Sequence, residues 1–154
     1  MKINYRFIGS FVIVVIALFL LGTGSEILVQ PIVKGVAIPL GTFITWIGII
    51  ALPLTILYGS KSMSNPSSRI EKIFHKTLKA LCLLGFSWGF VSYWLAANWS
   101  FNFSVREEFR GSPDAYEYFK IFTIILVLLP IGTGLVFAIR KLILSLTKVI
   151  KKEN

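Results

Sequence analysis

IFTIILVLLPIGTGLVFAI, residues 121–139, runs for nineteen residues without a charged side chain. A helix rises about 1.5 Å per residue, so this run matches the roughly 30 Å hydrocarbon core of a bilayer. Lipid offers no hydrogen-bond partners, and a helix pairs its backbone groups within the segment. Three other stretches share this character: Phe7–Thr23, Val36–Tyr58 and Leu78–Ala97. Lys79, in the first turn of the third, is the only Asp, Glu, Lys, Arg or His among the four. The sequence therefore predicts an all-α membrane protein, a bundle of four transmembrane helices in a single domain over residues 1–154. The spans fall at about 7–23, 36–58, 78–97 and 121–139.

Charge placement predicts the orientation. The chain carries 16 Lys and Arg against 7 Asp and Glu, a formal charge of +9. Twelve of the cations sit at three places that share one side of the membrane. These are Lys2 and Arg6; Lys61, Arg69, Lys72, Lys76 and Lys79; and Arg140, Lys141, Lys148, Lys151 and Lys152. Lys34, Arg106, Arg110 and Lys120 fall on the other side, with most of the acids. Short basic loops mark the cytoplasmic face, so both termini and the middle loop are expected inside. The same charges favour anionic lipid headgroups, and a nucleic-acid partner is not expected.

Several local signals refine this plan. Lys2 and Arg6 ahead of the first apolar run resemble a signal peptide, but the run is long and lacks an alanine-type cleavage site. It is expected to remain as a helix. The segment Gly24–Gly35 is expected to lie in the interface or to extend that helix as far as Pro31. Pro53 and Pro130 are expected to kink the second and fourth helices, with Thr55 or a neighbouring helix satisfying the carbonyl that Pro53 frees. Ser68 and Glu71 have capping-box spacing. Ser112-Pro113-Asp114 reads as a second helix start. Beyond Arg140, Leu142, Ile143, Leu146, Val149 and Ile150 share one helical face opposite Lys141, Lys148 and Lys152, which predicts a basic amphipathic tail on the inner surface.

Chemistry is scarce. Cys82 is the only cysteine and His75 the only histidine, so no metal cluster or thiol relay is expected. His75 is expected to face solvent or headgroups. Glu107 and Glu108 are adjacent and project differently on regular structure, a poor acid/base pair. No cofactor and no enzymatic activity are expected. Coupled transport relies on ionisable groups within the spans, and these are missing beyond Lys79. A hydroxyl path through Thr42, Thr45, Thr55, Ser87 and Ser92 would suit only a neutral solute.

The remaining signals concern interaction. Gly85 and Gly89 form a Gly-x-x-x-Gly face, with Trp88 and Tyr93 around it; such a face serves helix packing within a bundle or contact with a second chain. The loop Asn98–Tyr118 carries Trp99 and the block Arg106-Glu107-Glu108-Phe109-Arg110, which helix architecture does not explain. Trp99, Arg106, Glu107, Glu108 and Arg110 are thus the expected outer contacts. Asn98-Trp99-Ser100 and Asn102-Phe103-Ser104 are glycosylation sequons, and the chain ends Lys151-Lys152-Glu153-Asn154, resembling a dilysine retrieval signal. These suit an endoplasmic-reticulum membrane, whereas the compact plan with minimal loops suits a bacterial cytoplasmic membrane, the preferred location. The expected function is binding of another integral membrane protein or a membrane-inserting toxin, as an immunity or exclusion protein or an accessory subunit. The alternative is a small channel or carrier for a neutral solute, formed by several copies of the chain; a lipid-modifying enzyme ranks third.

Overall fold

Five helices account for most of the residues that this computed structural model describes, 4–33, 38–99 and 109–153, with side chains to 147. They are α1 (Tyr5–Thr23), α2 (Leu40–Gly59), α3 (Lys61–Ser64), α4 (Arg69–Ala96) and α5 (Pro113–Glu153). Four of them, all but α3, are long and apolar enough to cross a membrane. The 20 residues of α2 would span about 30 Å, and the 41 of α5 about twice that.

Boundaries follow from local chemistry. The chain does not extend α1 towards Pro31. Gly24 adopts φ 60°, and its N–H closes the helix onto Leu20 and Leu21. A left-handed residue is cheap only for glycine, so the helix stops there. A 3₁₀ turn over Glu26–Val29 follows, and Pro31 and Pro39 then pair in an antiparallel bridge. Pro39 accordingly sits at the N-cap of α2, which begins four residues later than the apolar run at Val36 suggests. The Ser68–Glu71 capping box forms as expected, and Ser112 accepts from the N–H of Ala115 at 3.1 Å. Helix α5 passes Arg140 without a break and reaches Glu153.

The packing is uneven. Helix α2 is the hub, touching α1, α4 and α5, whereas α1 packs only on α2 and the 3₁₀ turn among the described elements. Small residues set the α1–α2 crossing: a Cβ on Gly48 would lie 2.9 Å from that of Ala17. Gly134 of α5 meets Ile56 of α2 in the same way, at 3.0 Å. One apolar cluster holds Ile49, Trp88, Ala96, Phe119 and Leu126. A second holds Leu57, Met63, Leu78, Leu81 and Phe137.

The two ends differ in character. At the basic end, Asn4 Nδ2 donates to the Tyr58 carbonyl at 2.9 Å and Lys141 Nζ to Ser60 Oγ at 3.3 Å. His75 belongs to this end and does not simply face water. It is half-buried, and its Nδ1 lies 2.7 Å from the Met63 carbonyl, tying α3 to α4. A carbonyl only accepts, so Nδ1 carries the proton. At the other, aromatic end, Thr42 Oγ1 donates to the Trp99 carbonyl at 2.7 Å, fixing the start of α2 to the exit from α4.

Candidate partner-binding surface

The second half of α4 presents two faces. Gly85, Trp88, Gly89, Ser92 and Ala96 recur at helical spacing and are all buried. Phe86, Phe90, Tyr93 and Trp94 occupy the opposite stripe and are all exposed, Trp94 at 80% against 1% for Trp88. Such a division is what side chains at i, i+4, i+7 and i+8 produce on a helix.

The glycine face is filled from within the chain. Trp46 of α2 lies over it, and a Cβ on Gly89 would fall 2.6 Å from the indole ring atoms. The Trp46 Nε1–H reaches the carbonyls of Gly85 and Phe86 at 3.2 and 3.0 Å, which gives the indole its polar partner inside an apolar layer. Gly85 meets Ile49, whose carbonyl oxygen would lie 3.3 Å from an added Cβ. That carbonyl is the one left without its helical donor by Pro53, so it faces α4 rather than Thr55. The Thr55 hydroxyl donates instead to Ala51, at 2.9 Å. Trp88 is also an internal residue: its Nε1–H donates to Thr123 Oγ1 of α5 at 2.8 Å, and Thr123 in turn donates to Phe119.

The aromatic face is rigidly backed. Trp46 contacts Phe90 edge-on at 5.3 Å, Phe86 at 6.1 Å and Trp99 at 6.1 Å. Tyr93 stacks on Trp99 at 4.8 Å, nearly parallel. Offset aromatic pairs at these separations contribute about 0.5–1.5 kcal/mol each beyond the area they bury. Thus Trp46 and Trp99, both half-buried, form a platform that holds Phe86, Phe90 and Tyr93 outward.

The ends of the 98–118 loop are fixed onto the same region. Ala97 closes α4 in the left-handed region at φ 57°. The Arg110 N–H donates to the Ala96 carbonyl at 3.1 Å. Gly111 follows because no Cβ fits there: it would collide with the Leu95 carbonyl oxygen. Phe109 turns inward against Phe119 at 5.9 Å and Tyr116 at 5.1 Å, whereas the Arg110 side chain is exposed. Arg106, Glu107 and Glu108 lie outside the described residues, as does the Asn102 sequon. Asn98 is buried, with Nδ2 donating to the Ala96 carbonyl at 3.3 Å.

No family model, no curated protein and no solved structure matches this chain. The reading rests on its own geometry.

Of the five hydroxyls expected to line a path, four donate to backbone carbonyls. Thr45 and Thr55 bond within α2, Ser87 bonds to Leu84 within α4, and Thr42 bonds to Trp99. Ser92 Oγ is buried without a partner among the described residues. A cleft of about 290 Å³ does open between α1, α2 and α5, but Val14, Leu18, Leu52 and Val127 make its walls apolar. Among the described residues no group of three His, Cys, Asp or Glu side chains comes together to hold a metal.

Proposed function

We propose that this protein is a non-enzymatic membrane protein that binds another integral membrane protein, or a membrane-inserting toxin, through the exposed aromatic face of α4 and the 98–118 loop. The observation that carries this reading is the exposed stripe Phe86–Phe90–Tyr93–Trp94, whose first three rings are backed by Trp46 and Trp99. Residues at headgroup level, Trp94 and Tyr93, are also what an interfacial aromatic belt would use. Phe86 lies about 12 Å deeper along the helix, below such a belt. Rigid aromatic anchors presented together are the usual source of binding energy at protein interfaces.

The Gly85–Gly89 face has a different place in this reading. Trp46 and Ile49 already occupy it, so bulky replacements there would disturb the bundle before they reached a partner. The proposed contact is therefore the outer face, with Tyr93 and Trp94 at its centre and Trp99 and Arg110 at its rim. The basic end would face the cytoplasm, where its Lys and Arg meet anionic headgroups. A bacterial cytoplasmic membrane suits the compact plan. An immunity or exclusion protein and an accessory subunit both use such a surface.

Purification of the tagged chain from its native membrane tests the reading. The wild type should retain a second membrane polypeptide in fixed ratio, and the Phe90→Ala/Trp94→Ala variant should lose it while remaining folded. Equal retention by that variant would refute the proposed surface. A homo-oligomer that passes a neutral solute in vesicles would favour the channel or carrier alternative instead.

A further inference from the structure

At the basic end, α4 and α5 enclose a groove of about 430 Å³ lined by Ser68, Glu71, Arg140, Lys141, Leu144 and Ser145. That is the size of a small-ligand site, roughly 300–1,000 Å³. Its position follows from antiparallel packing: Phe74 of α4 meets Phe137 of α5 at 5.3 Å, and the groove opens one turn further along both helices. Arg140 is the first residue past the apolar run of α5, and Lys141 reaches Ser60 at the end of α2. The groove therefore lies where hydrocarbon gives way to headgroups.

Its donors are unbalanced. Arg140 is half-buried and has no hydrogen-bond or ion-pair partner among the described residues, although a guanidinium carries five N–H donors. Lys141 makes a single long contact to Ser60 and leans over the Phe137 ring at 5.3 Å. Ser68 Oγ accepts from the Glu71 N–H, and its hydroxyl also bonds to the Glu71 carboxylate, so Ser68 belongs to the cap. The one acid in the wall is committed elsewhere. Glu71 Oε2 accepts from the Ser67 N–H, the Ser67 hydroxyl and the Ser68 N–H, closing the capping box. That cap engages the Glu71 N–H and the amides of Ser67 and Ser68 ahead of the helix, and the attraction for an anion is assigned to the side chains of α5. The Glu71 carboxylate keeps its charge in these bonds, so the wall carries two cations against one anion, a surplus that suits a bound phosphate.

We infer that this groove is a specific site for the phosphate headgroup of an anionic membrane lipid, held by Arg140 and Lys141. Guanidinium meets phosphate in a paired, planar geometry, and basic pockets between membrane helices bind such headgroups. The site deepens the proposed headgroup contact at the basic end and does not depend on the partner surface.

The test is native mass spectrometry of the full chain in detergent, titrated with phosphatidylglycerol or phosphatidylcholine. Phosphatidylglycerol should bind as a discrete adduct, and Arg140→Gln/Lys141→Gln should weaken it about tenfold. The charge-matched control Lys76→Gln/Lys79→Gln should weaken it less than about twofold. Helical content of both variants by circular dichroism guards against misfolding, and the single Arg140→Lys should bind between the two extremes because it keeps the charge without the fork. Equal losses in the two double variants would overturn the groove while leaving a diffuse headgroup contact intact. No preference for phosphatidylglycerol over phosphatidylcholine in the wild type would overturn both. Full displacement by millimolar inorganic phosphate would show a free-phosphate site and overturn the lipid assignment.

Discussion

The two faces of α4 across its second half share a backbone and little else. On one, Gly85 and Gly89 bring α2 so close that the Trp46 indole lies where a Cβ would stand. On the other, Phe86, Phe90 and Trp94 cover the helix with rings that nothing in the chain buries. In lipid, helix association gains little from hiding apolar area and depends on close packing and hydrogen bonds. The glycine face supplies both, through ring contact and the bonds from Trp46 Nε1. The aromatic face touches the chain along its inner edge, through Trp46 and Trp99, and its outer surface is the proposed contact with another chain. Small residues thus build the bundle, and large ones are left to meet what lies outside it.

The largest expected effect comes from breaking the glycine face. Gly89→Leu puts side-chain carbons into the Trp46 ring and should destabilise the bundle by about 3 kcal/mol, the upper range for overpacking. Unfolding of the purified protein in bicelles measures it. Adding Trp46→Ala should recover part of that loss, because the two residues compete for one space, and simple additivity of the two losses would contradict the packing described. A smaller loss is expected for Thr123→Val, which removes the acceptor of the Trp88 indole while keeping its shape. Interhelical hydrogen bonds in membranes contribute about 0.6 kcal/mol on average, and a buried donor left unpaired costs about 1–3 kcal/mol. About 1–2 kcal/mol by the same assay is the expected result.

Ser68→Ala probes a region remote from both faces. Losing the cap should cost about 1 kcal/mol and leave partner retention unchanged. On the aromatic face the effect on stability is confined to the ring contacts of Phe90: Phe90→Ala/Trp94→Ala should shift unfolding by about 0.5–1.5 kcal/mol in total. That same variant is expected to have the largest effect on partner retention, and the opposite ordering of the two properties across these variants would contradict the division of α4.

Much of the fold was readable from residue chemistry alone. Long apolar runs foretold four helices long enough to cross a membrane, Ser68 with Glu71 located the start of α4, and Ser112-Pro113 the start of α5. Other features needed three dimensions. Gly24, seven residues before Pro31, ended α1 first, because its left-handed conformation turns the chain out of the helix. His75 looked like a solvated residue, but the four-residue helix α3 brings the Met63 carbonyl to it. The role of Trp46 was the main omission. It becomes countable only once the structure sets the helix ends: Trp46 lies about 9 Å from the start of α2, and Gly89 about 10 Å from the end of α4, so the largest side chain and the smallest meet at one depth. The uneven grip on α1 had no such signal, since its apolar residues look the same whether they face α2 or lipid.

The most direct test of the central claim is site-specific photocrosslinking in the native membrane. A photoreactive phenylalanine would replace Phe90 or Trp94 on α4, with Ile16 on α1 and Leu135 on α5, both also exposed, as controls. The account predicts one discrete adduct with a second polypeptide from positions 90 and 94, and only lipid adducts from 16 and 135. Polypeptide adducts of equal yield at all four positions, or none at 90 and 94, would contradict it.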